Sequence, residues 1–246
     1  MNRLTELANK YESDKGTNLN TENEFVHGFT RIYNTFFKQF INIRPVILEI
    51  GVWHGASVKM INEYYNGNCE VYCFDVDESL KSYIEDIGEN IHFYKIDQGN
   101  IDQLNDFIKE MNEKNIKFNL IIDDGSHVLY HQIVTLLNLY KLIDTDNGYY
   151  IVEDCHTCYE IERYKDFKYG LNEQYSILNI LTFFKAPNGL LENEINRLLR
   201  DIKSVVTYNN IEDIKLLEKA NTIDKFRQTR SLTCIISFLS EKKEED

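Results

Sequence analysis

The chain has 246 residues, enough for one large α/β domain with a full core and short for two independent ones. Hydrophobic residues make up 43% and charged residues 27%, a globular balance rather than a disordered one. With 40 acidic against 27 basic residues the formal net charge is −13, which argues against a nucleic-acid backbone or an anionic membrane surface as partner, since both need clustered Lys and Arg.

In chain order, residues 2–10 and 22–41 read as helices, with a turn-like Ser13-Asp14-Lys15-Gly16-Thr17 between them. From residue 45 strands and helices alternate. Strands are expected at 46–50, 70–74, 91–96, 118–122 and 149–152. Helices are expected at 57–65, 78–87, 100–114 and 128–143. Beyond 160, helices are expected at 172–184 and 190–203, strands at 205–208 and 231–239, and a frayed charged tail at 241–246. The repeated βα pattern predicts a doubly wound, Rossmann-like, mostly parallel seven-stranded sheet. To it are added an N-terminal helical extension, 1–44, and a C-terminal antiparallel strand pair within the main domain, 45–246. The segment 160–204 reads as a helical insertion, a lid or an interface.

Five cysteines, an odd number, and an N-terminus without a secretory leader point to a reducing cytoplasm. Cys155 and Cys158 form a C-x-x-C, but zinc would need a second pair of ligands at a matching spacing, and the sequence offers none. No apolar run is long enough to span a bilayer.

Open parallel sheets bind ligands outside the carboxyl ends of their strands, and polar residues gather at those ends here. The first strand leads into Glu49-Ile-Gly51-Val-Trp-His-Gly55-Ala-Ser57, a turn that opens a helix. Trp53 stands where the dinucleotide fingerprint needs its second glycine, so S-adenosylmethionine suits this turn better than a diphosphate cofactor. Asp75 ends the second strand, where a carboxylate can accept from both hydroxyls of a ribose. Asp97-Gln98 ends the third. Asp123-Asp124 ends the fourth and Glu153-Asp154 the fifth. Four acids at adjacent strand ends repel one another unless a cation neutralises them, and hard divalent ions such as Mg2+ or Mn2+ take oxygen ligands of this kind. His127, three residues past Asp124, suits a general base acting on a hydroxyl. The same acids would also serve a metal-dependent phosphoester hydrolase, an alternative that the nucleoside-type Glu49 and Asp75 pair disfavours.

These segments resemble class I methyltransferases that use S-adenosylmethionine: Leu48-Glu-Ile-Gly51 with Gly55 and Ser57, Asp75, and Ile122-Asp-Asp-Gly-Ser-His127. Gly148-Tyr-Tyr-Ile-Val-Glu153-Asp154-Cys-His156-Thr-Cys-Tyr159, with Asp14-Lys15-Gly16, His27, Phe29 and Tyr33, narrows the likeness. It is similar to the metal-dependent sugar O-methyltransferases of macrolide and surface-polysaccharide pathways, over about residues 6–160. The resemblance implies that Asp124, Glu153 and Asp154 bind magnesium and that His127 is the base. It implies that Glu49, Gly51, Ser57 and Asp75 hold the methionine and ribose portions of the cofactor, and that Lys15 meets its carboxylate. Asp97 and Gln98 would lie near the adenine, Asp123 near the sulfonium, and His156 and Tyr159 on the acceptor side. The expected acceptor is a small sugar, a nucleotide-linked hexose or heptose, and the expected assembly is a homo-oligomer.

Overall fold

The computed structural model describes residues 1–18, 27–155, 191–209 and 232–240. Their strands are β1 (Val46–Ile50), β2 (Glu70–Asp75), β3 (Ile91–Lys95), β4 (Leu120–Asp123), β5 (Tyr149–Val152), β6 (Ile202–Asn209) and β7 (Leu232–Phe238). They form one seven-stranded sheet in the order β3-β2-β1-β4-β5-β7-β6. The first five strands pair parallel, and β7 runs antiparallel to both β5 and β6. The helices are α1 (Arg3–Lys10), α2 (Thr30–Phe37), α3 (Ala56–Tyr64), α4 (Lys81–Glu85), α5 (Ile101–Glu113), α6 (Leu129–Leu139) and α7 (Glu192–Asp201). The predicted α/β class, the parallel sheet and the C-terminal antiparallel pair are all present.

Strands covered on both faces read as near-continuous apolar runs, and β1 (Val-Ile-Leu-Glu-Ile) and β4 (Leu-Ile-Ile-Asp) do. Alternate residues therefore feed two cores. Leu48, Ile50, Phe74, Ile121 and Tyr150 pack with Leu104, Phe107 and Leu136 of α5 and α6. Ile47, Val71, Ile122 and Ile151 pack on the other face with Leu4, Tyr33, Phe37, Val58 and Ile61 of α1, α2 and α3. Each such side chain, fully buried, contributes about 1.5–3 kcal/mol. The pleat has a consequence for function. Glu49, between Ile47 and Ile50 and level with Cys73 and Ile122, projects toward the face of α1–α3. Asp123, level with Ile50, projects to the face of α5 and α6.

Several predicted bounds shift. The helix expected at 22–41 starts, in its described part, only at Thr30, because Gly28 takes a left-handed φ of +68° just before it, and it ends in a 3-10 turn, Lys38–Phe40. The helix expected at 78–87 is a 3-10 turn followed by the short α4. The fourth strand begins at Leu120 rather than 118: Phe118 makes only an isolated bridge to Ile143. The helix expected at 128–143 tightens to a 3-10 turn at Tyr140–Leu142. The helix expected at 190–203 stops at Asp201, because Ile202 already pairs with Phe238 in β6. The expected helix at 172–184 and the tail at 241–246 lie outside the described residues.

Candidate active site

A cleft of about 1460 Å³ opens at the carboxyl ends of β1, β2 and β4. Its floor is the turn after β1. Gly51 has φ +79°, and a Cβ there would stand 2.3 Å from the carbonyl oxygen of Asp124, so only glycine lets the β1 and β4 ends approach this closely. Gly55, at φ +68°, opens α3, where a Cβ would meet Ile84 at 2.6 Å. Trp53 between them is 61% exposed, unusual for a large apolar ring.

One wall is Asp75. Its two oxygens accept from the backbone N–H groups of Val52 and Asp77, each at 3.0 Å, which fixes the carboxylate at the cleft edge with lone pairs to spare. Asp77, not Asp75, caps the following 3-10 turn, accepting from Ser79 N at 2.9 Å. Asp97 and Gln98 line the far end. Asp97 accepts from Gly99 N at 2.9 Å. Gln98 is buried and donates to Asp123 and to Thr135, both at 3.2 Å, while its oxygen accepts from Ser126 N. Gly125 has no room for a side chain: a Cβ would meet the Gln98 oxygen at 2.0 Å. Asp123 is enclosed by Gln98, Gly125 N and the Tyr150 hydroxyl, and burial pushes its carboxyl up to about 7.

Glu49 lies beneath the turn, wholly buried, with both carboxylate oxygens lacking a hydrogen-bond partner among the described residues. Burial raises its carboxyl to about 7, against the pull of the Lys15 ammonium and the neighbouring Ser57 hydroxyl. An acid buried this way is costly without a partner. Ser57, at the start of α3, is buried beside the same cleft.

The acids of β4 and β5 meet at the other end. His127 Nε2 is 4.0 Å from Asp124 Oδ1 and 3.7 Å from Asp154 Oδ2. One donor atom from each of Asp124, His127 and Asp154 lies within 4.8 Å of the others, a spacing that suits a single cation. His127 and Asp154 hold φ of +57° and +49°, a strained region for side-chain-bearing residues. Strain of this kind, which costs on the order of 1–3 kcal/mol per residue, collects where side chains must be aimed. Glu153 points inward instead. Its oxygens accept from Lys15 at 2.7 Å and from the Tyr33 hydroxyl at 2.5 Å, and Lys15 also pairs with Asp124. Burial, then Asp124, push the Glu153 carboxyl well above its ordinary range. Burial also opposes the Lys15 charge, but Asp124 and Glu153 outweigh it and hold the ammonium well above its usual value.

The structure thus brings Lys15, Gly51, Ser57, Asp75, Asp97, Gln98, Asp124, His127 and Asp154 to one cleft. Glu49, Asp123 and Glu153 are packed behind it. His156, Tyr159 and Cys158 lie outside the described residues. Cys155 is buried and donates to the carbonyl of Val152 at 3.3 Å. Sequence reasoning did not anticipate what His27 and Tyr33 do. His27 sits 3.6 Å from Asp154 and 3.9 Å from Asp14, stacked on Phe29 at 5.0 Å. The ladder continues through Tyr33 and Phe37, and the four-residue spacing of Phe29, Tyr33 and Phe37 was the available signal.

No family model matches the chain. Among curated proteins it is similar to mycinamicin VI 2''-O-methyltransferase of Micromonospora griseorubida, 27% identical over 163 residues, and to demethylmacrocin O-methyltransferase of Streptomyces fradiae, 28% identical over 163 residues. Each alignment covers 63% of this chain and 37% of the relative, so the chain spans well under half the length of these proteins. Among solved structures it is similar to the MycE methyltransferase from the mycinamycin biosynthetic pathway, in complex with Mg and SAH, with a TM-score of 0.67 and 20% identity over all of this chain and 56% of that one. The resemblance to class I methyltransferases read from the sequence holds, and the fold is the Rossmann-like fold of those enzymes.

Proposed function

We propose that this chain transfers a methyl group from S-adenosylmethionine to a sugar hydroxyl, assisted by Mg2+ or Mn2+. One observation carries the reading: a cleft edged by Asp75 runs directly into the cluster of Asp124, His127 and Asp154, whose donor atoms lie within 4.8 Å of one another. A nucleoside-type pocket and a cation site sharing one opening suit a donor and a polar acceptor held side by side. The residues fit both groups. The Asp124 and Asp154 carboxylates are oxygen donors of the kind a hard divalent ion takes. Glu49, with two buried oxygens that lack hydrogen-bond partners among the described residues, is the natural seat for the ammonium group of an amino-acid end.

In this reading Glu49, Gly51 and Ser57 hold the methionine portion, Asp75 accepts from the ribose hydroxyls, and Asp97 and Gln98 border the adenine. Asp123 braces the floor near the sulfonium through Gln98. Asp124 and Asp154 hold the cation, with Glu153 supporting them from behind. The chemistry a divalent cation supplies there is Lewis acidity toward the acceptor's hydroxyl oxygens. His127 takes the departing hydroxyl proton on an imidazole nitrogen, aimed by Asp124 and Asp154. The remaining work of these side chains is alignment, which can be worth about 7–11 kcal/mol of barrier.

The relatives support a sugar acceptor, since two further ones are named as O-methyltransferases of a rhamnosyl-tetracenomycin and of L-olivosyl-oleandolide. A nucleotide-linked hexose or heptose for polysaccharide or glycoconjugate assembly is the acceptor we favour, with a homo-oligomer in the cytoplasm as the working form. Among the described residues no helix is long and apolar enough to cross a membrane. The test is transfer of labelled methyl to a panel of nucleotide-linked and macrolide-linked sugars, with and without chelator. The reading expects transfer that chelation abolishes and that His127→Ala lowers by about 10²–10⁴-fold. Transfer untouched by exhaustive chelation would remove the cation, and a fully active His127→Ala would remove the base.

A further inference from the structure

The pairing of Lys15 with Asp124 and Glu153 is not accounted for by the cofactor-carboxylate role that the resemblance implies. Lys15 belongs to the loop after α1, yet it is only 2% exposed, and lysine is rarely buried unless paired. Its partners are Asp124 of the cation cluster and Glu153 behind it. The ammonium is 2.7 Å from Glu153 Oε2 and bonded to Asp124 Oδ2. Tyr33 takes the second oxygen of Glu153, so the N-terminal segment engages both. The opposite side of Asp124, Oδ1, faces His127 and through it Asp154. The cluster therefore has a cation-facing side and a lysine-facing side that share Asp124.

Without a positive charge these acids repel one another in a poorly solvated place. An ammonium supplies one charge on the Oδ2 side of Asp124, and a divalent ion would supply two on the Oδ1 side of the same carboxylate. Both cannot be accommodated comfortably, because like charges a few ångströms apart in such surroundings are strongly unfavourable. Lys15 has somewhere else to go. It lines the cleft that opens beside the cluster. The flexible four-carbon stem of lysine allows that change without movement of the backbone.

We propose that Lys15 is the resident counter-ion of this carboxylate cluster, neutralising Asp124 and Glu153 until a divalent cation takes over and then turning into the cleft. The idea rests on the cation reading given above. Cation arrival is thereby linked to the appearance of an ammonium in the cofactor cleft, where it meets an anionic group of the bound donor. The N-terminal extension acts as a positioning device for both sites. By linkage, the two ligands then bind more tightly together than apart.

The test is Mn2+ binding to the full chain, followed by the electron paramagnetic resonance signal of the free ion, in wild type and in Lys15→Met. The methionine keeps the length of the stem and removes the charge. The variant is expected to bind Mn2+ about tenfold or more tightly, because no ammonium opposes the ion. It should also melt lower than wild type without a cation and recover on adding one. A folded variant with equal or weaker affinity would overturn the proposal and leave the cation site standing. Absence of Mn2+ binding in both chains would overturn the cation reading itself. If the variant does not fold, wild type still decides. The Lys15 15Nζ resonance, identified as the ammonium shielded from solvent exchange, is expected to move on saturation with Mg2+. A resonance that stays in place would contradict the exchange.

Discussion

Glu49 shows most clearly how a single side chain reports on the site. The folded protein keeps a proton on it up to about 7, while an unfolded chain releases that proton near 4.5. Between those values the folded state binds more protons, so this group's contribution to stability falls as pH rises through the window. The full cost is present above pH 7. In ligand-free protein, Glu49→Gln should therefore gain stability over wild type at pH 8, on the order of 3 kcal/mol at most, and gain nothing at pH 4. Urea denaturation at both pH values checks this, and an equal effect at the two would contradict it. The identities of Glu49, Asp75, Asp124, His127 and Asp154 were legible because each sits at or just past the carboxyl end of a strand, where apolar runs stop and polar residues begin. The inward turn of Glu153 was not legible. Its partners Lys15 and Tyr33 are 138 and 120 positions away, and local pattern carries no information at that range.

Elements explain why those distant residues arrive. Helices α1 and α2 share one core with α3, β1, β2 and β4, so both helices are built into the sheet's flank. Thr5 and Thr30, joined through their hydroxyls at 3.0 Å, tie α1 to α2. Phe37 stacks between Tyr33 and Tyr65 with centroids 5.8 and 6.2 Å away, and it is fully buried. Phe37→Ala should cost about 3–5 kcal/mol of stability, since a large ring leaves a cavity in a packed ladder. A loss below about 1 kcal/mol in urea denaturation would mean that α2 is only loosely attached. Strand positions were readable from apolar runs to within three residues, the largest shift being β6, expected from 205 and starting at Ile202, while helix ends drifted. Caps such as Asn100, which accepts from Asp102 N and Gln103 N, mark a start plainly. Ends that pass into 3-10 turns, as after α6, give no such mark.

At the scale of the molecule, the strand order sets the site. With β4 at the centre, between β1 and β5, the turn holding Gly51 and the acids of β4 and β5 are forced together at one rim. A chain carrying −13 overall thus concentrates acids where a cation would be useful and buries one lysine among them. The central claim is that this rim binds an S-adenosyl nucleoside beside a cation. Calorimetry with S-adenosylhomocysteine, in Mg2+ and then in chelator, on wild type and Asp75→Ala, tests it most directly. The account predicts saturable binding to wild type in both buffers, and binding about tenfold or more weaker in Asp75→Ala, which loses a charged acceptor for the ribose. Absence of binding to wild type in both buffers, or an Asp75→Ala chain that binds as wild type does, would contradict it.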